Sequence, residues 1–254
     1  MKARHFIAII GIALGVVAFF LTHVDQSLSA DEEILFEKLV KKCNIRKNMD
    51  EIELVSRVQE CVIEIVPHRA YAHNIPHEPI ETFKIGYGEC YDRSRIIEKF
   101  LNFIGFKTRH AAVYDTSVYG VSALLRPGVP SHALLDVKLE RGWMAVGSNQ
   151  KSIGLTRENR VVAVRDLKKY NTDHYINPLN PILVNDNITI YGLWSRHGGF
   201  FPPYSGLPDV HWPSLIHPGF PRWIGNLMTF VVDSAIRINA IRSSRRASPV
   251  SPGG

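Results

Sequence analysis

The sequence is poor in cysteine, with Cys43, Cys61 and Cys90 as the only three in 254 residues. Three thiols cannot build the dense disulfide framework of a small secreted domain, nor a four-thiolate zinc site. An HExxH-type spacing is also missing. The closest histidines, His68, His73 and His77, sit among Pro67, Pro76 and Pro79, which break any helical register, so no metal is expected. A Gly-rich phosphate loop is absent too: Gly86-Tyr87-Gly88 lacks the preceding strand and the downstream pattern, and no other cofactor signature appears. The chain has no internal repeat and no linker-like stretch in its middle, which favours one domain with appended ends over two domains.

What is present fits a globular chain with one sizeable core: 45% of residues are apolar and 21% charged. The formal charge is +6, but the excess collects at the ends, with Lys2 and Arg4 at the start and Arg242, Arg245 and Arg246 near the finish. Such a distribution reads as a topology signal and a solvated basic tail, not as a nucleic-acid surface. Residues 6–21 carry no charge and follow the basic residues directly. Extended through Val24, the run is longer than the roughly 7–15 residues of a cleaved signal and approaches the roughly 20 of a spanning helix. The expectation is an uncleaved membrane anchor over 1–30, with cleavage near Ser27 to Ala30 as the alternative. Either way the basic end stays in the cytoplasm and the rest is exported, to the periplasm or beyond. Export permits a disulfide. Cys43 and Cys61 lie in adjacent helical patterns, and a bridge between them would staple a helical hairpin and leave Cys90 as the odd thiol.

Helical spacing predicts a helix over 31–43, through Leu35, Phe36, Leu39 and Val40, and a second from an Asp50 cap through Val66, ended by Pro67. Residues 68–82 read as a loop. A third helix follows from Tyr91, with Ile96, Ile97, Phe100, Leu101 and Ile104 buried and Gly105 stopping it. The period then changes to that of strands: 107–114, 131–139 and 142–146, the last two joined as a hairpin by Glu140-Arg141-Gly142. Val161 to Val164 reads as a further short strand or a helix start, and regularity fades after Asn171. The aromatic-rich stretch from Trp194 to Pro221 is expected to cap the core, leaving 31–221 as the main domain and 222–254 as an amphipathic helix with a basic tail.

One constellation carries chemistry. Cys90, in Gly88-Glu89-Cys90-Tyr91-Asp92-Arg93, stands at a helix start, where the macrodipole favours thiolate. Gly88 leaves room for a substrate carbonyl, and the Cys90 N–H can meet a developing oxyanion. His132 begins a strand that would hold its imidazole beside that helix start, distant in sequence and near in space.

These residues resemble the transglutaminase-like superfamily, over about a quarter of the chain from Tyr87 to Asn149. The resemblance rests on the helix that opens at Cys90, on Gly105 to Arg109, on His132 at the strand start, and on Trp143 after the hairpin turn. It implies an α+β, papain-like core with helices packed on an antiparallel sheet, and cysteine-dependent acyl chemistry on an amide; the expected membrane attachment points to a peptide, protein or envelope polymer as substrate. The sequence departs from the family at the third catalytic position: the Asp expected four residues after Trp143 is Gly147. If the strand continues, Asn149 projects to the same face and takes that role, with Ser148 the lesser substitute. Asp136 shares a face with His132 but lies about 13 Å along the strand, too far to hold the ring. The rival expectation is a scaffold that has lost activity and binds an envelope partner.

Overall fold

A computed structural model describes residues 11–12, 26–46, 48–69, 77–120, 123, 129–192 and 209–210. Most of the expected anchor, the aromatic cap, the amphipathic helix and the basic tail lie outside these. Among the described residues no helix is long and apolar enough to cross a membrane.

Helix α1 spans Ala30–Lys42 and starts with a capping box, in which Ser29 and Glu32 satisfy each other's backbone N–H groups. Helix α2, Glu51–Ile65, is capped by Asp50, which accepts from the Ile52 N–H. The hairpin they form is closed by a disulfide between Cys43 and Cys61, with Cα atoms 5.7 Å apart. A short helix α3, Pro79–Ile85, occupies part of the segment expected to be loop. Pro79 does not break it: at the first helical position its missing N–H costs nothing and its fixed φ suits the helix. Helix α4, Cys90–Phe103, follows.

The sheet is antiparallel, with spatial order β3-β2-β1-β4-β5. Its strands are β1 Lys107–Asp115, β2 Ser131–Leu139, β3 Gly142–Val146, β4 Asn187–Tyr191 and β5 Asp209–Val210. The expected β2–β3 hairpin forms, with Leu139 opposite Gly142. Strand β4, in the region that seemed irregular, pairs with β1. The molecule is thus α+β, with helices on an antiparallel sheet.

Alternation along β2 divides the interior in two. Leu135, Val137 and Leu139 join Phe36, Val58, Val62, Ile96 and Phe100 in a core beneath the helices. Leu134 faces the other side, with Val113, Val164, Leu167 and Tyr175, under the short 3-10 turns that include Val164–Lys169. Phe36 stacks on Phe100, ring centroids 5.2 Å apart.

Helix α4 has few exposed residues. Its Arg95 and Lys99 are buried. Arg95 pairs with Glu98 at 2.8 Å and Glu78 at 3.1 Å; Lys99 pairs with Glu78 at 2.6 Å and with Glu32 at 2.8 Å. These pairs tie α1 and the start of α3 to α4. Removing one partner of such a network leaves an uncompensated buried charge, at a cost of about 3–5 kcal/mol. The middle of α4 is therefore held in place by these pairs.

Candidate active site

The turn before Cys90 is fixed from three sides. The chain leaving α2 runs beside it: Gly88 N–H donates to Pro67 O at 3.1 Å, and Arg69 N–H donates to Gly88 O at 3.0 Å. The Asp92 carboxylate accepts the Glu89 N–H at 2.7 Å and also contacts His77 Nδ1, which is buried. Gly88 is dense rather than open. A Cβ there would lie 2.7 Å from Asp92 Cβ and 3.1 Å from Thr82 Cγ2, so its missing side chain is taken up by packing as the helix starts.

Cys90 is the first residue of α4 and a partly exposed, free thiol. Strand β3 pairs with β2 only from Leu135 to Leu139, so the edge of β2 near its start is open. There the Cys90 sulfur meets the backbone N–H of Ala133, and it also faces that of Tyr91; both favour thiolate. Cys90 thus lies against the residue next to His132. The His132 side chain is buried and, by alternation, shares the face of Leu134 and Asp136.

The electrostatics differ from the expectation of a depressed thiol. Burial pushes Cys90 above its ordinary value, against the two backbone donors, and the Glu89 and Asp92 carboxylates add to the rise. Burial also pushes His132 down to about 4, helped by the positive fields of His68 and Arg93. At neutral pH Cys90 rests as a thiol and His132 as a neutral imidazole.

Residues 147–150 are where sequence and structure part. Strand β3 ends at Val146, and the chain then bends, so strand alternation does not carry Asn149 to the place of the missing Asp. The Asn149 amide oxygen accepts from Arg93 Nη1 at 3.1 Å, not from His132. Ser148, fully buried, donates its hydroxyl to Ala133 O. Gly147 has no space for a side chain: a Cβ would sit 2.7 Å from Ser152 Oγ and 3.0 Å from Ser152 O. The bend is held from α2 by Gln59, whose Nε2 donates to Gly147 O at 2.8 Å and Ser152 O at 2.7 Å.

Asp136 is engaged elsewhere, as the distance argument requires. It accepts from Arg109 Nη2 at 2.9 Å, Tyr191 Oη at 2.8 Å and Val164 N–H at 2.8 Å. Arg109 is sandwiched between the rings of Tyr191 and Trp143, 4.0 and 4.4 Å from their centroids.

Two residues near the site had no assigned role in the sequence reading. Arg93 is three residues beyond Cys90, a spacing that places both on one side of a helix. His68, weighed only as a metal ligand, is exposed beside Gly88 and is felt by His132. Among the described residues no cluster of metal-ligating side chains is present; His73 lies outside them.

No protein-family model matches the chain, and no curated protein matches its sequence. Three solved structures are similar to it in part. One is a candidate cysteine protease from Cytophaga hutchinsonii, at 14% identity and a TM-score of 0.38, covering 51% of this chain and 45% of that one. Another is a candidate protease from Parabacteroides distasonis, at 11% identity and a TM-score of 0.33, covering 66% and 26%. The third is a Rad4–Rad23 complex bound to a 6-4 photoproduct UV lesion, at 11% identity and a TM-score of 0.33, covering 76% and 47%. The chain spans less than half the length of each, and at these values the likeness does not bear on activity.

Proposed function

We propose that this chain performs cysteine-dependent acyl chemistry on an amide, in the manner of the transglutaminase-like superfamily that its sequence resembles. The observation that carries the reading is the placement of the Cys90 sulfur, at the first position of α4, against the Ala133 N–H next to His132. In this reading Cys90 Sγ attacks the amide carbonyl carbon while its proton passes to His132. The C–N bond then breaks, and His132 returns the proton to the leaving amine. The Cys90 N–H is at a helix start, where backbone N–H groups lack intrahelical acceptors, and it meets the oxyanion. Water or a second amine releases the acyl group from sulfur. Asn149 completes the site by holding Arg93. The substrate is a peptide, protein or envelope polymer, reached outside the cytoplasm by a domain that the segment 1–30 anchors or delivers.

Incubation with a panel of peptide amides, with and without an added primary amine, tests this by intact-mass detection of an acyl adduct on Cys90. The adduct is expected in the wild type and absent in Cys90→Ala. In His132→Ala its formation slows by about a hundredfold or more. Turnover unaffected by either substitution sinks the reading.

A second reading, a binding scaffold without turnover, is favoured by Gly147 alone. The tight surroundings that leave no room for a carboxylate there belong to a chain built without the family's third residue. It predicts that a substrate peptide binds Cys90→Ala and the wild type equally and is never cleaved.

A further inference from the structure

Arg93 is a buried cation with neutral partners. Its side chain donates from Nη1 to Asn149 Oδ1 at 3.1 Å and from Nη2 to Ile63 O at 3.3 Å. Its residue exposure is only 3%, and its Nε is buried without a hydrogen-bond partner. The other two buried cations of α4, Arg95 and Lys99, are each paired with carboxylates. Buried charges are as a rule paired, because an unpaired ion out of water is costly. Arg93 lies one helical turn from Cys90 on the same side of α4. We propose that Arg93 is the positioning residue that supplies the counter-charge to ionised Cys90, its guanidinium anchored by Asn149 and the Ile63 carbonyl. The inference rests on Cys90 being the nucleophile.

This assignment gives Asn149 a function that does not involve the imidazole. In the family's arrangement a carboxylate supports a positively charged histidine. Here the position of that carboxylate is closed, and the fixed positive charge stands on the helix instead. Ionised Cys90 is the negative group to which Arg93 responds, and Arg93 acts against a positive charge on His132. The other charged or titratable groups that act on Cys90 and His132 are Glu89 and Asp92, which oppose the thiolate, and His68, whose field reaches His132.

The test is the pH dependence of iodoacetamide alkylation in the full chain with its disulfide intact, where Cys90 is the single free thiol. Arg93→Met is expected to move the alkylation midpoint up by about one pH unit, which slows labelling at a fixed lower pH about tenfold. Arg93→Lys retains most of the wild-type profile, since charge is what acts. His132→Ala leaves the midpoint nearly unmoved, because the imidazole is already neutral. Asn149→Asp, which keeps Arg93 in place but neutralises it, moves the midpoint upward. That variant carries the test if thermal unfolding shows Arg93→Met to be misfolded.

Four results overturn the inference: unchanged midpoints in both Arg93→Met and Asn149→Asp, a lysine variant that behaves like the methionine one, a midpoint that follows His132, or a wild-type thiol inert at every pH. Loss of amide turnover with a profile that still follows Arg93 rejects the proposed activity but not this role.

Discussion

Gln59 of α2 donates to the carbonyl of Gly147 at 2.8 Å, reaching across 88 residues of sequence. The same amide nitrogen reaches the carbonyls of Ser152 at 2.7 Å and Gln150 at 3.2 Å, and Gln59 is 1% exposed. One side chain therefore shapes the bend that carries Asn149, and through Asn149 it affects Arg93. Gln59→Leu leaves the Gly147 carbonyl without this donor, while those of Ser152 and Gln150 keep the Gly147 and Ser152 N–H groups. The expected loss is about 1–3 kcal/mol in urea denaturation with the slope unchanged. A variant as stable as the wild type would mean that the bend holds itself.

Gly147→Asp puts a carboxylate where the superfamily that the sequence resembles has one, and it is expected to harm rather than rescue. Its Cβ meets Ser152 and Gln150 backbone oxygens at 3.0 and 3.1 Å, so the bend must open. Overpacking of this kind costs about 1–3 kcal/mol. Thermal unfolding and acyl-adduct formation, measured side by side, are expected to fall together. A gain in adduct formation would show that the bend yields and that the carboxylate reaches His132.

The legible parts of this fold were those where one residue pattern dictates one local structure. Asp50 before an apolar helical stripe, Gly105 after another, and the compact turn at Glu140-Arg141-Gly142 all stand where local chemistry requires them. The Cys43–Cys61 bridge was open from spacing alone and is made by the hairpin that brings the two Cα atoms to 5.7 Å. The illegible parts depend on partners distant in sequence. The pairing of Arg95 and Lys99 with Glu78 and Glu32 exists only once the fold brings those carboxylates to α4. Strand β4 is fully buried and needs β1 as its neighbour to be recognisable. Cys90 and His132 are candidates by residue type and position. The contact of Asn149 with Arg93 is not legible in that way, because it turns on where β3 stops.

Reducing the disulfide tests whether the hairpin supports the site or only the fold. The bridge closes a loop of 18 residues in sequence separation, for which the chain-entropy argument gives about 3 kcal/mol. The double variant Cys43→Ser, Cys61→Ser is expected to lose about that much in chemical denaturation. Its alkylation profile at Cys90 stays that of the wild type, because α4 is held by its own ion pairs and by β2. A Cys90 profile that changes with the bridge would show that α2 positions the thiol.

Acid is expected to unfold the protein through two histidines. Burial holds both His110 and His132 down to about 4, from an ordinary 6.5. Neither state of the chain binds the proton well above pH 6.5, so the full stability is present there. As the pH falls below 6.5, the unfolded chain takes up protons first, and stability is lost progressively until the folded pKa near 4 is reached. Each histidine contributes a loss on the order of 3 kcal/mol across that window. His110 contacts the Ser94 hydroxyl through Nε2 and lies edge-on to Tyr91 at 5.0 Å, so it is placed beneath the site without belonging to it. His110→Asn is therefore expected to flatten the pH dependence of stability between 6.5 and 4 by about half, and to leave the proposed amide chemistry dependent on His132. Denaturation midpoints measured across that range check it. A slope that is unchanged in His110→Asn would show that His110 does not carry the acid sensitivity.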